Sequence, residues 1–326
     1  MPGRRNMDWV GRAVPLASGA IPLLIAAYLF VLAVSVRAPL PGADAAQPAA
    51  VWQNEPISPV QDAIDLDPDR VAIGALLFSD KRLSGRGDLS CATCHDLTTN
   101  GAMAGPRRLK MDTPTIFNSA LSFRLGWEGK DRTLEQQAYS TLTGSLIAQG
   151  VPIGIMVARL RDDPELDRRF RHSYGRAPDE ASVIDALVTF QRSLVTPNSR
   201  FDRWLSGDSG ALSAREQQGY ALFKRLGCVS CHQGRNIGGN LLQRNGVFRP
   251  LAAPEPAVLR VPSLRNVAET APYFHDGSAP TLEVAVRRMA KAQLNVQLSG
   301  REAADIAQFL QSLTGTYRGH PVRRAR

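Results

Sequence analysis

The four cysteines of this chain form two Cys-x-x-Cys pairs, each followed directly by a histidine: Cys91-Ala-Thr-Cys94-His95 and Cys228-Val-Ser-Cys231-His232. Two thiols at this spacing reach the two vinyl groups of one porphyrin, and the adjacent histidine then lies under the ring and offers a nitrogen to iron. Zinc and thioredoxin-like redox chemistry are the competing uses of such cysteines. Zinc would draw both pairs onto one ion and leave the two adjacent histidines unexplained. The motifs therefore predict two covalently bound c-type haems, one held by Cys91, Cys94 and His95, the other by Cys228, Cys231 and His232.

The composition narrows the class further. An apolar fraction of 44% in 326 residues suits a folded protein of two compact units. A secreted disulfide scaffold would be shorter and richer in cysteine. The formal charge of +9 is spread along the chain. It suggests an acidic partner, partly offset by haem propionates, and no motif accompanies it that would indicate nucleic-acid binding.

Ala13–Val36 carries no charged residue, and its 24 positions would form a helix of about 36 Å, enough to cross a bilayer. Arg4, Arg5 and Arg12 precede it, and Ala43-Asp44-Ala45 follows as a small-residue cleavage site. Residues 1–46 thus read as a signal peptide or a retained membrane anchor, and either places the remainder in the periplasm.

The elements that must position the two motifs read as helices, and the fold class is all-α. Asp67-Pro68 is an N-cap and first-turn pair ahead of Val71, Ile73, Leu76 and Leu77. Thr133 with Gln136, Ser213 with Glu216 and Ser299 with Glu302 fit the capping box. Val183, Ile184, Leu187, Phe190, Leu194 and Val195 keep helical spacing, as do Ile306, Phe309, Leu310 and Leu313. Segments 98–115 and 232–263 read as loops, and no alternation is long enough to suggest a sheet. Gly74-Ala-Leu-Leu-Phe78 before the first motif is echoed by Gly219-Tyr-Ala-Leu-Phe223 before the second, an internal repeat. The expected organisation is a linker at 47–56, one helical haem-bearing domain at 57–195, a related second at 196–315, and a basic tail at 316–326.

Around these motifs the sequence resembles the bacterial dihaem cytochrome c peroxidases and their MauG-like relatives over about residues 55–315. The likeness rests on Leu76–Ser84, Cys91–His95, Thr113-Pro-Thr-Ile-Phe-Asn118, Leu134-Glu-Gln-Gln-Ala138 and Leu194–Asn198. It continues through Phe201-Asp-Arg-Trp204, Cys228–His232, Val261-Pro-Ser-Leu-Arg-Asn266 and Ala271-Pro-Tyr-Phe-His-Asp-Gly277. The resemblance implies two cytochrome c-like domains face to face. On the same resemblance, the N-terminal haem is expected to react with hydrogen peroxide and the C-terminal haem to relay electrons from a small cytochrome c or cupredoxin. Met289 matches the axial methionine of the relay haem, where MauG-like proteins place a tyrosine. Trp127 matches the electron bridge between haems. Asp112, Thr270 and Pro272 match an interdomain calcium site, with Asp112 in place of the usual asparagine. His275 reads as structural or close to a haem edge. A homodimer and a membrane tether are compatible with this reading.

The sequence departs from the family at the peroxide site. Residues 96–112 contain no histidine to cap the first haem, and Met103, Met111, Arg107 and Arg108 are the notable side chains there. The family's distal glutamate falls near Ile147, and residues 136–164 contain no glutamate. Gln136, Gln137 and Gln149 are the nearest polar candidates, with Gln137 assigned a catalytic role beside Trp127. A glutamine orients peroxide but does not take up its proton. The expectation is an oxidoreductase of cytochrome c peroxidase type, divergent at the distal site. The alternatives are MauG-like long-range oxidation of a protein or small molecule, and a dihaem electron-transfer cytochrome without catalysis.

Overall fold

The structure, a computed structural model, describes residues 51–61, 65–103 and 111–324. The hydrophobic leader and the arginines at 107 and 108 lie outside the described residues. Among those described, no helix is long and apolar enough to cross a membrane.

The chain is helix-rich, with helices α1 (Pro68–Ser79), α2 (Leu134–Thr143), α3 (Pro164–Tyr174) and α4 (Glu180–Ser193) in its first half. Helices α5 (Ala214–Arg225), α6 (Leu282–Leu294) and α7 (Gly300–Gln311) follow in the second. The helix starts are set by the capping chemistry. Asp67 accepts from the amides of Asp69 and Arg70 with Pro68 in the first turn, and Ser213–Glu216 and Ser299–Glu302 form reciprocal boxes. At α2 only half of the expected box forms. Thr133 accepts from the Gln136 amide, but the Gln136 side chain turns back to the amide of Arg132 instead.

Each half is organised by one helix crossing, and the repeat glycines sit at the contact. A Cβ on Gly74 of α1 would lie 2.0 Å from the Ala186 carbonyl oxygen and 2.6 Å from Phe190 Cβ of α4. A Cβ on Gly219 of α5 would lie 2.0 Å from the Asp305 carbonyl oxygen and 3.1 Å from Phe309 Cβ of α7. In both halves the glycine meets residues i and i+4 of its partner, so the missing side chain lets two backbones touch. One core gathers Ile73, Leu77, Phe78, Leu166, Phe170, Val183, Leu187 and Phe190; the other gathers Phe201, Tyr220, Phe223, Ile306, Phe309 and Leu310.

The halves are joined by a buried polar knot. Asn118 and Asn266, both fully buried, take left-handed backbone with φ of 60° and 58°. Their side-chain amides donate to the same hydroxyl, Thr196 Oγ1, at 2.7 and 2.9 Å. Their oxygens accept from the amides of Thr196 and Gly315, each at 2.9 Å. Thr196→Val would leave two buried donors without an acceptor. We expect a loss of roughly 2–6 kcal/mol, at about 1–3 kcal/mol per orphaned group, read as a lower midpoint of chemical denaturation.

The ends of the described chain cross over. Glu55 accepts from Tyr220 Oη at 2.6 Å and pairs with Lys224 Nζ at 2.9 Å, Ile57 is fully buried in the second core, and the Val60 amide donates to Asp202. Conversely, Tyr317 packs on Phe117 with ring centroids 4.9 Å apart, and Val322 is buried in the first core. Residues 55–60 therefore pack with the second half rather than behaving as a linker or the start of the first domain, and the expected basic tail straps the first half. The expected loop at 232–263 contains a small antiparallel ladder, β1 (Leu242–Arg244) with β2 (Val258–Arg260). A second ladder pairs β3 (Thr316–Tyr317) with β4 (His320–Pro321). Three-residue strands are too short to show alternation.

Candidate active site

The two Cys-x-x-Cys-His motifs form matching niches. Cys91–Cys94 is a single helical turn started by Ser90 and Thr93, and Cys228–Ser230 is a tight turn entered through Gly227 at φ 83°. In each motif the histidine amide closes on the first cysteine carbonyl, at 2.9 Å for His95 and 3.0 Å for His232. His95 Nδ1 meets the Gly101 carbonyl at 3.0 Å, and His232 Nδ1 meets the Ile237 carbonyl at 3.3 Å. A Nδ1–H donated to a carbonyl makes Nε2 the lone-pair nitrogen, the one that ligates metal. Phe78 tilts over His95 at 6.5 Å, as Phe223 does over His232 at 6.3 Å.

The segments that follow also match. Thr115 Oγ1 accepts from the Phe117 amide and donates to the Asn100 carbonyl; Ser263 Oγ accepts from the Arg265 amide and donates to the Asn236 carbonyl. The repeat thus extends through Thr113–Asn118 and Val261–Asn266, a correspondence legible in Pro-Thr/Ser-x-x-Asn that sequence reasoning had not drawn.

Burial sets the protonation of these groups. It pulls the His95 pKa down and that of His232 to about 4, so both imidazoles are neutral at pH 7. It pushes the Cys91 and Cys228 thiols up to about 11. The four cysteines are not disulfide-bonded.

Both histidines open onto one cavity of about 470 Å³, which Met289, Gln137, Trp127 and Arg260 also line. Thr113 Oγ1, Asn245 Oδ1 and Gln293 Oε1 are buried in its wall without a hydrogen-bond partner. Free thiols, neutral imidazoles with Nε2 available, a largely apolar chamber and orphaned polar atoms at its edge fit a haem in each niche.

At the junction of the halves, Trp127 and His275 stand ring to ring, edge-on, with centroids 6.2 Å apart. They occupy corresponding positions in two similar loops, one closed by the Leu125–Asp131 bridge and the other by Tyr273–Ala279. The backbone of Asp112 links them: Trp127 Nε1 donates to its carbonyl, and its amide donates to the His275 carbonyl, both at 2.7 Å. His275 is 2% exposed and its Nε2 lies 3.1 Å from the Glu255 carbonyl, in keeping with a structural role.

Each loop leads into a helix capped by threonine, Thr133 for α2 and Thr281 for α6. Counted from the first residue of each helix, Met289 of α6 corresponds to Thr141 of α2. A thioether therefore stands in one half where the other has a hydroxyl, and that hydroxyl accepts from Gln137 Nε2 at 2.7 Å.

The distal candidates separate clearly. Gln137 lines the cavity. Gln149 does not: its oxygen accepts from the Arg86 amide at 2.6 Å and its nitrogen donates to Asp88 at 2.9 Å, so its amide ties down the loop before Cys91. Gln136 is spent on Arg132, and Ile147 packs against the first core with its carbonyl bound by the Gly85 amide. His172 is exposed and faces Asp69 at 3.6 Å. Asp112, Thr270 and Pro272 all border the cavity, where Asp112 is the one carboxylate among the described lining residues. No group of three or more His, Cys, Asp or Glu that could hold a metal ion occurs among the described residues.

Residues 68–210 match the family model described as di-haem cytochrome c peroxidase. The chain is 36% identical over 303 residues to the cytochrome c551 peroxidase of Nitrosomonas europaea, covering 84% of this chain and 88% of that protein. It is 33% identical to the methylamine utilization protein MauG of Methylorubrum extorquens, covering 76% of this chain and 79% of the relative. Among solved structures, a MauG-like protein associated with microbial copper homeostasis superposes with a TM-score of 0.67 at 26% identity, over 78% of this chain and 93% of that one. The paired niches, the shared cavity and these likenesses agree, and the chain belongs to the dihaem cytochrome c peroxidase family.

Proposed function

We propose that the protein reduces hydrogen peroxide to water in its first half, taking two electrons and two protons per peroxide, with the electrons entering through the second half. The observation that carries the division of labour is the pairing of Met289 with Thr141. One half carries a soft thioether on the cavity wall that would complete an iron's coordination; the other carries a hydroxyl at the matching helix position. A c-type haem held at each motif would supply a one-electron redox iron and, at the first motif, the centre that reacts with peroxide.

Within this reading Cys91 and Cys94, and Cys228 and Cys231, carry the thioether links, and His95 and His232 ligate through Nε2. Met289 would complete the second centre and favour its reduced state. Trp127 would bridge the two centres, a role supported by its place on the wall of the cavity that both histidines line and by its edge contact with His275. Gln137 orients peroxide by hydrogen bonds. Asp112, with carbonyls of Thr270 and Pro272 and water, holds an interdomain calcium; one carboxylate plus neutral oxygens is a ligand set calcium accepts. The electron donor is a small cytochrome c or cupredoxin, and the hydrophobic run at 13–36 carries the chain to the periplasm. Methionine at 289 rather than tyrosine disfavours MauG-like long-range oxidation.

The test begins with the intact mass of the denatured protein, which should exceed the processed polypeptide by two haem masses. Peroxide consumption with a reduced small cytochrome should then be measured for wild type and Met289→Ala. The variant should lose the methionine–iron charge-transfer band, lower the potential of one centre only and slow donor-driven turnover about tenfold or more. One haem per chain, or an unchanged band and potential, would overturn the assignment.

A further inference from the structure

The shared cavity contains a buried cation that meets no counter-ion among the described residues. Arg260, the last residue of β2, is 8% exposed. Its Nε donates to the Gly126 carbonyl at 2.9 Å and its amide to the Trp127 carbonyl at 2.7 Å. No carboxylate among the described residues pairs with it, and burial, with no opposing charge, draws its pKa down to about 10. Arg265, five residues on and 1% exposed, shows the ordinary arrangement: its guanidinium meets Asp202 Oδ1 at 2.7 Å.

A desolvated guanidinium held only by a neutral carbonyl is unfavourable, and the planar fork is shaped to take a carboxylate through two parallel hydrogen bonds. The position of Arg260 indicates which carboxylate. β2 runs directly into Val261, whose carbonyl accepts from the Gly239 amide at 2.8 Å in the loop behind His232. Arg260 lines the same cavity as His232 and Met289. The group expected in that niche carries two propionates.

We propose that Arg260 is a carboxylate-binding residue that takes up a propionate of the haem on the His232 side and, through Gly126 and Trp127, ties that carboxylate to the Trp127 loop. The inference rests on the haem reading above. A paired propionate no longer stabilises the ferric state with its full charge, so Arg260 raises the potential of the second centre. It acts as a positioning residue, since it touches the bridge loop and the cofactor edge rather than the reacting oxygens.

The test is a redox titration of the holoprotein for wild type, Arg260→Gln and Arg260→Lys, after mass determination has established the haem content. Arg260→Gln should shift the reduction equilibrium of the methionine-ligated centre about tenfold toward the ferric state, roughly 59 mV for one electron, and Arg260→Lys should restore most of it. Both haems present with an unchanged potential in Arg260→Gln would overturn this inference alone; absence of haem at Cys228 and Cys231 in wild type would overturn the functional reading as well. A wild-type potential that moves with added acetate, while that of Arg260→Gln does not, would assign the site to a free anion and overturn the propionate. If Arg260→Gln does not fold, resonance Raman of wild type and Arg260→Lys decides. Loss of the two-point fork should shift the propionate bending band, and identical bands would overturn the proposal.

Discussion

Gln137→Glu should raise peroxide turnover by about two orders of magnitude. Cleaving the O–O bond requires a proton to pass from one peroxide oxygen to the other, and a positioned acid–base group contributes about 10²–10⁴-fold to such a step. An amide orients peroxide but cannot carry that proton at neutral pH. Gln137 is the distal candidate that lines the cavity, so it is the place for a carboxylate; Ile147 packs into the first core instead. The Thr141 hydroxyl, now accepting from Gln137 Nε2, can rotate to donate to a carboxylate at the same place. Residue 137 is the fourth of α2, where the helix N-terminus favours the ionised form. The acting form is the deprotonated base, so the variant's rate should rise with pH through the new group's pKa. Steady-state turnover with a reduced cytochrome donor from about pH 3.5 to 8, a span that brackets a carboxyl's ordinary pKa of about 4, checks both points. A rate at or below wild type, with haem content intact, would show that the proton already has another carrier.

Gly219→Ala should destabilise the protein by about 3 kcal/mol, the upper part of the range for overpacking a tight contact. The substitution would ordinarily help a helix by about 1 kcal/mol, so the sign is informative. The added carbon would lie 2.0 Å from a backbone oxygen, and α5 and α7 must separate to admit it. The same separation disturbs the Arg215–Asp305 ion pair, in which the Asp305 side chain is only 5% exposed. Gly74→Ala faces the same geometry against Ala186 and should cost a similar amount. Denaturant midpoints of the holoprotein measure both. A neutral or stabilising result at either position would mean the crossing helices stand farther apart than described.

The residues of the haem motifs, the principal helix starts and the all-α class were legible because each depends on neighbours within a few positions. Asp67-Pro68, Ser213–Glu216 and Ser299–Glu302 close their hydrogen bonds inside one turn, and a Cys-x-x-Cys-His run carries its chemistry in its spacing. Gln136 shows the limit of local rules. Two acceptable amide partners lie beside it, and it takes Arg132 rather than Thr133.

Long-range placement followed another logic. Gln136, Gln137 and Gln149 are alike as letters, yet only Gln137 lines the cavity, because the other two satisfy backbone or loop groups that become neighbours only on folding. The pairing of Gly219 with Asp305, the convergence of Asn118 and Asn266 on Thr196, and the exchange of chain ends each join residues 70 or more positions apart. So does the unmatched charge of Arg260, whose partners Gly126 and Trp127 belong to the other half of the chain. The sequence by itself determined which groups can bind a haem and where helices begin, since those are local matters of valence and hydrogen bonding. The tertiary structure alone decided which of Gln136, Gln137 and Gln149 lines the cavity and which buried cation no carboxylate among the described residues pairs. Those outcomes depend on packing two halves so that backbones touch and every buried polar group that can find a partner does so.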